Sequence, residues 1–366
     1  MNRSVFSMTA PWGVIIFTAV LFCSLLLSSC TALRGKDNSS AAGTRTEDSL
    51  QTGRESTADT ASAINPEDSA PPEDPQVPAG SQAAETAAGT TAEDTAESSP
   101  SAKRPDRGSV SEEALRISDK YGIRILLGDE VPLSYTDYTA AVLEDHEKIS
   151  AALKELDLTL GLYPPGFFTS VKEGFCDSIT ICLARDLHAI NDDTYIESAN
   201  AFTTVQDNIV WLVLNADEPL GRGTLIHELT HVIDYRLLGM NQMQETEWNL
   251  LNPPSFSYYN AYLDEDGEDL RVSGSTEYTA MAEEDAEKIW FWDSYSKTFA
   301  MEDRARLMEK LMDDIPDESG TVRNCFSSSH IQTKLRFYFY TLRQAFENAR
   351  WPEETVWEAR LRRAAP

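Results

Sequence analysis

Thr224-Leu225-Ile226-His227-Glu228-Leu229-Thr230-His231-Val232-Ile233-Asp234-Tyr235 is an apolar stretch that carries His-Glu-x-x-His at helical spacing. Residues four apart share one face of a helix. His227 and His231 therefore stand one turn apart and can grip a single ion. Glu228, one position round, can reach a water beside that ion. Leu225, Ile226, Leu229, Val232 and Ile233 cover the rest of the cylinder, which makes this a buried helix. Two imidazoles and a carboxylate inside a buried helix need partners. A metal ion serves all three, and this spacing is the one that presents a helix to zinc. The pattern predicts a helix over 222–239, entered from Gly221-Arg222-Gly223 and closed near Gly239.

Upstream of that helix the chain reads as short strands and helices. Helices are expected over 110–120, 135–158 and 167–171, and strands over 123–127, 178–184 and 209–214. Leu160 to Gly166, with Pro164-Pro165, breaks the pattern, and Asp186 to Asp193 reads as turn and loop. The strand 209–214 is placed at a sheet edge, where an extended peptide could add to it. Downstream, Asn252-Pro253-Pro254 interrupts the chain, Leu263 to Glu277 is an acidic loop, and the remainder from Tyr278 reads as mostly helical. The fold class expected is α+β, helix-dominated with a small sheet.

Composition divides the chain. Residues 31–109 hold no aromatic residue and almost no large aliphatic one, so they cannot bury enough apolar surface to offset their ordering entropy. This segment is expected to be a disordered, acidic, low-complexity linker ahead of one compact domain over 110–366. Residues 1–30 read as a signal peptide, with Arg3 before an apolar run from Val14 to Leu27. That run ends in Leu27-Ser28-Ser29-Cys30, which resembles a bacterial lipobox. The resemblance implies cleavage before Cys30, lipidation of its thiol, and a lipid anchor on the extracytoplasmic face of the cell membrane. A net charge of −29 speaks against a nucleic-acid partner, because phosphate binding needs a basic face. Of five cysteines, Cys176, Cys182 and Cys325 remain in the compact domain as buried thiols or with Cys176 and Cys182 paired. His146, His188 and His330 read as solvated, and Trp290-Phe291-Trp292 as core.

Catalytic zinc takes three protein ligands, and no third His follows His231 at short spacing. Two downstream carboxylates compete for the place: Glu283, in Glu283-Glu284-Asp285-Ala286-Glu287, and Glu302, in Glu302-Asp303-Arg304-Ala305-Arg306. Ser294-Tyr295-Ser296-Lys297-Thr298 precedes the second, and this arrangement resembles that of the anthrax lethal factor type of zincin. More broadly, Leu162-Tyr163-Pro164-Pro165-Gly166-Phe167-Phe168, Leu251-Asn252-Pro253 and the stretch from Lys334 to Phe346 make 110–366 similar to bacterial lipoproteins regarded as zinc-binding metallopeptidases. The resemblance implies a zincin-like peptidase domain in which His227, His231 and Glu302 hold Zn2+. It further implies that Glu228 is the general base and that Tyr295 stabilises the oxyanion, with a protein or peptide as substrate. The chain departs from that pattern at Arg306, where a Glu is expected. Asp234 reads either as a carboxylate orienting a ligand imidazole or as a helix-surface charge. The competing expectation is a non-catalytic zinc-containing surface lipoprotein, an adhesin or binding module. The intact Glu228 speaks against it, because a purely structural zinc site does not need that residue.

Overall fold

The computed structural model describes residues 106–190, 199–313 and 319–364. The expected signal peptide, Cys30 and nearly all of the expected linker lie outside the described residues. The first helix, α1 (Arg107–Tyr121), starts three residues earlier than the sequence suggests, because Asp106 accepts a hydrogen bond from the Ser109 amide and caps it. It ends where Gly122 adopts a left-handed φ of 70°.

Five strands form one sheet. β1 (Arg124–Leu126) and β2 (Tyr138–Val142) both pair with one side of the long β3 (Ser178–Ala189), and β5 (Ile209–Asn215) pairs with the other side. β4 (Ala201–Gln206) lies beyond β5, so the edge is β4 and not 209–214 as expected. β1 and β5 run parallel to β3, with Thr180 opposite Arg124 on one side and Trp211 on the other. β2 against β3 and β4 against β5 are antiparallel. Asp207 and Asn208 join β4 to β5 with φ of 54° and 61°. Two left-handed residues are what a tight hairpin with right-twisted strands requires. Phe202-Thr203-Thr204-Val205 followed two residues later by Asp-Asn is a readable hairpin signal, absent from the strands expected above.

Two further expectations are corrected. The helix expected over 135–158 is divided: Tyr138 to Val142 is strand, and α2 covers His146–Leu160. Asp145 forces the division, since its carboxylate accepts from the Glu147 and Lys148 amides and starts the helix there. The preceding Tyr, Thr and Val residues find a better partner in the free side of β3. That strand in turn runs through the expected turn at 186. A register shift opposite Thr139 and Ala141, with Asp186 at a φ of 50°, absorbs the extra residue as a bulge.

The sheet is buried on both faces. Ile179, Ile181, Leu183, Val210, Leu212 and Leu214 point to the helices, while Cys182, Ala184, Leu187 and Val213 face a smaller cluster with Tyr135 and Phe202. The helical layer contains α2, α3 (Phe167–Lys172) and, centrally, α4 (Arg222–Gly239), whose limits match the expected ones. Leu225, Ile226, Leu229, Val232, Ile233 and Leu237 of α4 are fully buried, each worth about 1.5–3 kcal/mol of burial. Short α5 (Glu245–Asn249) and α6 (Leu270–Ser273) follow. The stretch 278–299, expected to be helical, is mostly irregular and carries only the short turns Ala286–Lys288 and Tyr295–Lys297. Helical structure resumes in α7 (Ala300–Met312), α8 (Thr321–Ser327), α9 (Ser329–Ala345) and α10 (Val356–Ala364). The α+β class holds, Cys176, Cys182 and Cys325 are free thiols, and Phe291 and Trp292 are core.

α7 is locked in place by buried charge. Arg304 donates from Nε to Asp234 Oδ2 of α4 at 2.6 Å, and Tyr338 of α9 donates to Asp234 Oδ1 at 2.9 Å. Next to it, Asp303 Oδ2 accepts from Lys334 Nζ at 2.7 Å and from the Tyr258 hydroxyl at 2.7 Å. Asp234 is thus neither a surface charge nor a partner of a His imidazole. Removing one member of such a pair leaves the other charge buried and alone. We expect Arg304→Met to lower unfolding stability by about 3–5 kcal/mol, and Asp234→Leu combined with Arg304→Met to recover much of that loss. Urea denaturation of the two variants checks this, and an equal loss in both would contradict it.

Candidate metal centre

Three elements build the site. α4 presents His227 and His231 one turn apart, with ring planes at 85°. α7 brings Glu302, two residues into its first turn, over the same face of α4. β4 closes the third side with Thr203. Among the described residues, His227, His231 and Glu302 form a buried group whose ligand atoms all lie within 4.8 Å of one another. His227 Nε2 is 3.1 Å from His231 Nε2 and 3.1 Å from Glu302 Oε2, and His231 Nε2 is 3.4 Å from the same oxygen. Donors about 2.0–2.2 Å from a tetrahedral ion stand about 3.3–3.6 Å apart. The observed triangle is nearly that of three corners of such a tetrahedron, so the donor set and its spacing fit a metal ion. Glu283 is elsewhere: its Oε1 accepts from the Tyr278 amide at 3.4 Å and it takes no part in the group.

The surroundings of each group explain its electrostatics. Burial acts to raise the Glu302 carboxyl, but His231 and His227 outweigh it and hold Glu302 well below the usual carboxylate range. For His227, burial acts to lower the imidazole pKa, and the bonds to Glu302 and Glu309 overcome it, pushing it up to about 10. The same field that favours a proton on His227 favours any cation placed between these ligands. Tyr295 lies in the turn just before α7, its ring stacked against His227 with centroids 5.9 Å apart. Burial, reinforced by the charges of Glu302 and Glu228, raises its hydroxyl well above the ordinary tyrosine value, so it remains a donor at neutral pH.

The structure brings together every site residue expected within the compact domain: His227, Glu228, His231, Tyr295 and Glu302. It also adds contacts that no sequence motif announced. Tyr262 donates to Glu302 Oε1 at 2.6 Å, which leaves Oε2 to face the imidazoles. Thr203 Oγ1 donates to Glu228 Oε2 at 2.7 Å. His227 Nδ1 donates to Glu309 Oε2 at 3.2 Å, while the buried Nδ1 of His231 has no hydrogen-bond partner among the described residues. Tyr262 sits in a Tyr-rich irregular stretch with no local signal, and Thr203 lies on a hairpin strand whose pattern is readable but says nothing of a contact with Glu228. Glu309 follows Glu302 by seven residues, two helical turns, and that spacing is legible. The remaining histidines stay outside the group, with His188 on β3 and His330 in the first turn of α9, stacked on Trp290.

No family model matches the chain, and no curated protein matches it. Among solved structures it is similar to the crystal structure of a proposed zinc-binding metallo-peptidase from Bacteroides caccae, with 12% sequence identity and a TM-score of 0.41, over 71% of this chain and 94% of that one. A likeness at that level adds nothing to the geometry. Fold and site by themselves define the class: an α+β domain whose central helix and a following helix form a buried His-His-Glu group spaced for a metal ion.

Tyr262→Phe removes the donor on Glu302 Oε1 and should weaken metal binding roughly 10–100-fold, whereas Glu283→Gln should leave it unchanged. Competition with a chromophoric chelator measures both. An effect of Glu283→Gln equal to that of Tyr262→Phe would remove Glu302 from its assigned place.

Proposed function

We infer that this chain is a zinc-dependent peptidase, tethered by a lipid on Cys30 to the extracytoplasmic face of a membrane and acting on protein or peptide substrates. The observation that carries the catalytic part is Glu228. A site that only stabilised the fold would need the three ligands and nothing more, yet a fourth ionisable group stands beside them. Its Oε2 is fixed by Thr203 at 2.7 Å, and the whole residue is only 7% exposed.

His227 and His231 through Nε2 and Glu302 through Oε2 would hold the ion. Zinc so held supplies Lewis acidity and brings the pKa of water down to about neutrality. Glu228 is the general base. With Oε2 engaged by Thr203, its other oxygen takes the proton from the attacking water and later delivers it to the leaving nitrogen of the peptide. Tyr295, protonated and backed by the His227 ring, donates a hydrogen bond to the carbonyl oxygen as negative charge builds there. β4, as the sheet edge nearest Glu228, is the strand on which an extended substrate would pair. The signal-peptide-like pattern of residues 1–30 and the lipobox-like Leu27-Ser28-Ser29-Cys30 support the tether.

Full-length protein in detergent should bind about one zinc per chain. Glu228→Gln should keep that zinc while cleavage of a mixed peptide library falls at least about 100-fold. Zinc bound with no peptide cut by the wild type would favour the non-catalytic surface protein. Cleavage that survives in Glu228→Gln would sink the proposed base. For the anchor, metabolic labelling with a fatty-acid analogue should mark the wild type and not Cys30→Ser, and equal labelling of both would exclude Cys30 as the site.

A further inference from the structure

The departure at Arg306 is matched by a carboxylate one turn further on. In the pattern that this helix resembles, position 306 carries a Glu; here an Arg stands there, and Glu309 reaches back to the metal group. Glu309 Oε2 accepts from His227 Nδ1 at 3.2 Å and from Arg306 Nη1 at 2.7 Å, and Lys310 Nζ donates to Glu309 Oε1 at 2.7 Å. Arg306 is itself held from the other side by the Asp293 carboxylate, through Nη2 and through Nε at 3.1 Å. Its guanidinium lies 5.6 Å from the centre of the Tyr295 ring. One cation thus ties the residue beneath His227 to the turn that carries Tyr295.

We propose that Glu309 is the positioning residue for His227 and that Arg306, anchored on Asp293, holds Glu309 and the Tyr295 turn as one unit. Three features of the geometry support this. First, an imidazole that binds an ion through Nε2 must keep its proton on Nδ1, and a carboxylate on Nδ1–H fixes both that tautomer and the ring plane. Second, among the described residues the other imidazole has no such partner, since His231 Nδ1 is buried without one, so a carboxylate on Nδ1 is a feature of His227 alone of the two. Third, the helix surface is shaped for the contact. Gly223 lies one turn before His227 on the same face of α4, and a Cβ there would come within 3.3 Å of Glu309 Cγ and 2.7 Å of Asp313 Oδ2. Glycine at 223 lets α7 approach closely enough for Glu309 to reach the ring. In this role Glu309 acts from behind the ring, on the nitrogen that faces away from Glu302. It would act through His227 and not on the ion itself.

The inference rests on His227 being a metal ligand, so the test has one arm that needs metal and one that does not. In the first, zinc affinity of full-length protein is measured by chelator competition. Glu309→Ala should bind roughly 10–100-fold more weakly than wild type. Glu309→Gln, whose amide oxygen still accepts from Nδ1–H, should lie between them. Arg306→Met should also weaken binding, and the double variant with Glu309→Ala should be no weaker than Glu309→Ala alone, because residues acting as a unit do not add. In the second arm, nitrogen-15 spectra of histidine-labelled protein without zinc should show a protected Nδ1–H on His227 that Glu309→Ala loses and Glu309→Gln keeps. Zinc affinity of Glu309→Ala within about threefold of wild type would overturn the proposal, as would an unprotected His227 Nδ1–H in the wild type. Additive losses in the double variant would separate Arg306 from the unit. A wild type that takes up no zinc defeats the peptidase reading, while the second arm still decides the role of Glu309.

Discussion

The site depends on the buried pair between Arg304 and Asp234. Both side chains are fully buried, and each is the other's charged partner. Asp234 lies three residues after His231 on α4, and Arg304 two residues after Glu302 on α7. A bond between them therefore sets the rotation and the height of one helix against the other. A hydrophobic contact could slide by a fraction of a turn at little cost. A buried guanidinium–carboxylate bond cannot, because moving either group leaves a charge in apolar surroundings. Burial pushes the Asp234 carboxyl up, and Arg304 pulls against it.

α7 distributes its charged residues by function along less than three turns. Glu302 faces the two imidazoles. Asp303 turns the other way, to Lys334, Tyr258 and Trp248. Arg304 reaches α4, Arg306 reaches Asp293, and Glu309 returns to His227. Successive residues step by about 100° round a helix, so one short segment fastens to several neighbours at once. A ligand carried on such a segment is held from all sides. That matters because a metal ligand displaced by even about 1 Å loses most of its value.

The chain carries a net charge of −29, yet the neighbourhood of the site is not a simple acidic patch. Glu302, Glu228 and Glu309 face inward, and Arg306 and Lys310 balance the outermost of them. The result is a local field that attracts one cation at one place and is compensated a few ångströms away. Lowered carboxylates at Glu302 and Glu309 and a raised imidazole at His227 are three expressions of that field. Tyr262 and Thr203 contribute differently. Each occupies one oxygen of a carboxylate and thereby decides which oxygen is left to act.

The helix that carries His227 and His231 was legible from residues alone, down to its limits at 222 and 239. Two imidazoles four apart on an apolar cylinder leave buried nitrogens that a shared cation satisfies. The strands expected over 123–127, 178–184 and 209–214 and the α+β class were legible for similar local reasons, although the second of these strands runs on to Ala189. Glu302 and Tyr295 were legible through resemblance, while Glu283 could not be set aside by spacing, since a loop of that length can deliver either carboxylate. Tertiary structure brings Glu302 and not Glu283 beside the two imidazoles, and the Arg304–Asp234 bond that holds it there is encoded by no local pattern. It also decided that Tyr138 to Val142 is strand, since a free side of β3 lay within reach and Asp145 stopped the helix from extending backwards. It placed β4 at the edge, beside Glu228. Periodicity reports which face of an element is apolar. Which partner covers that face, and which oxygen of a carboxylate is left free, depends on residues distant in the sequence, and those meet only in the folded chain.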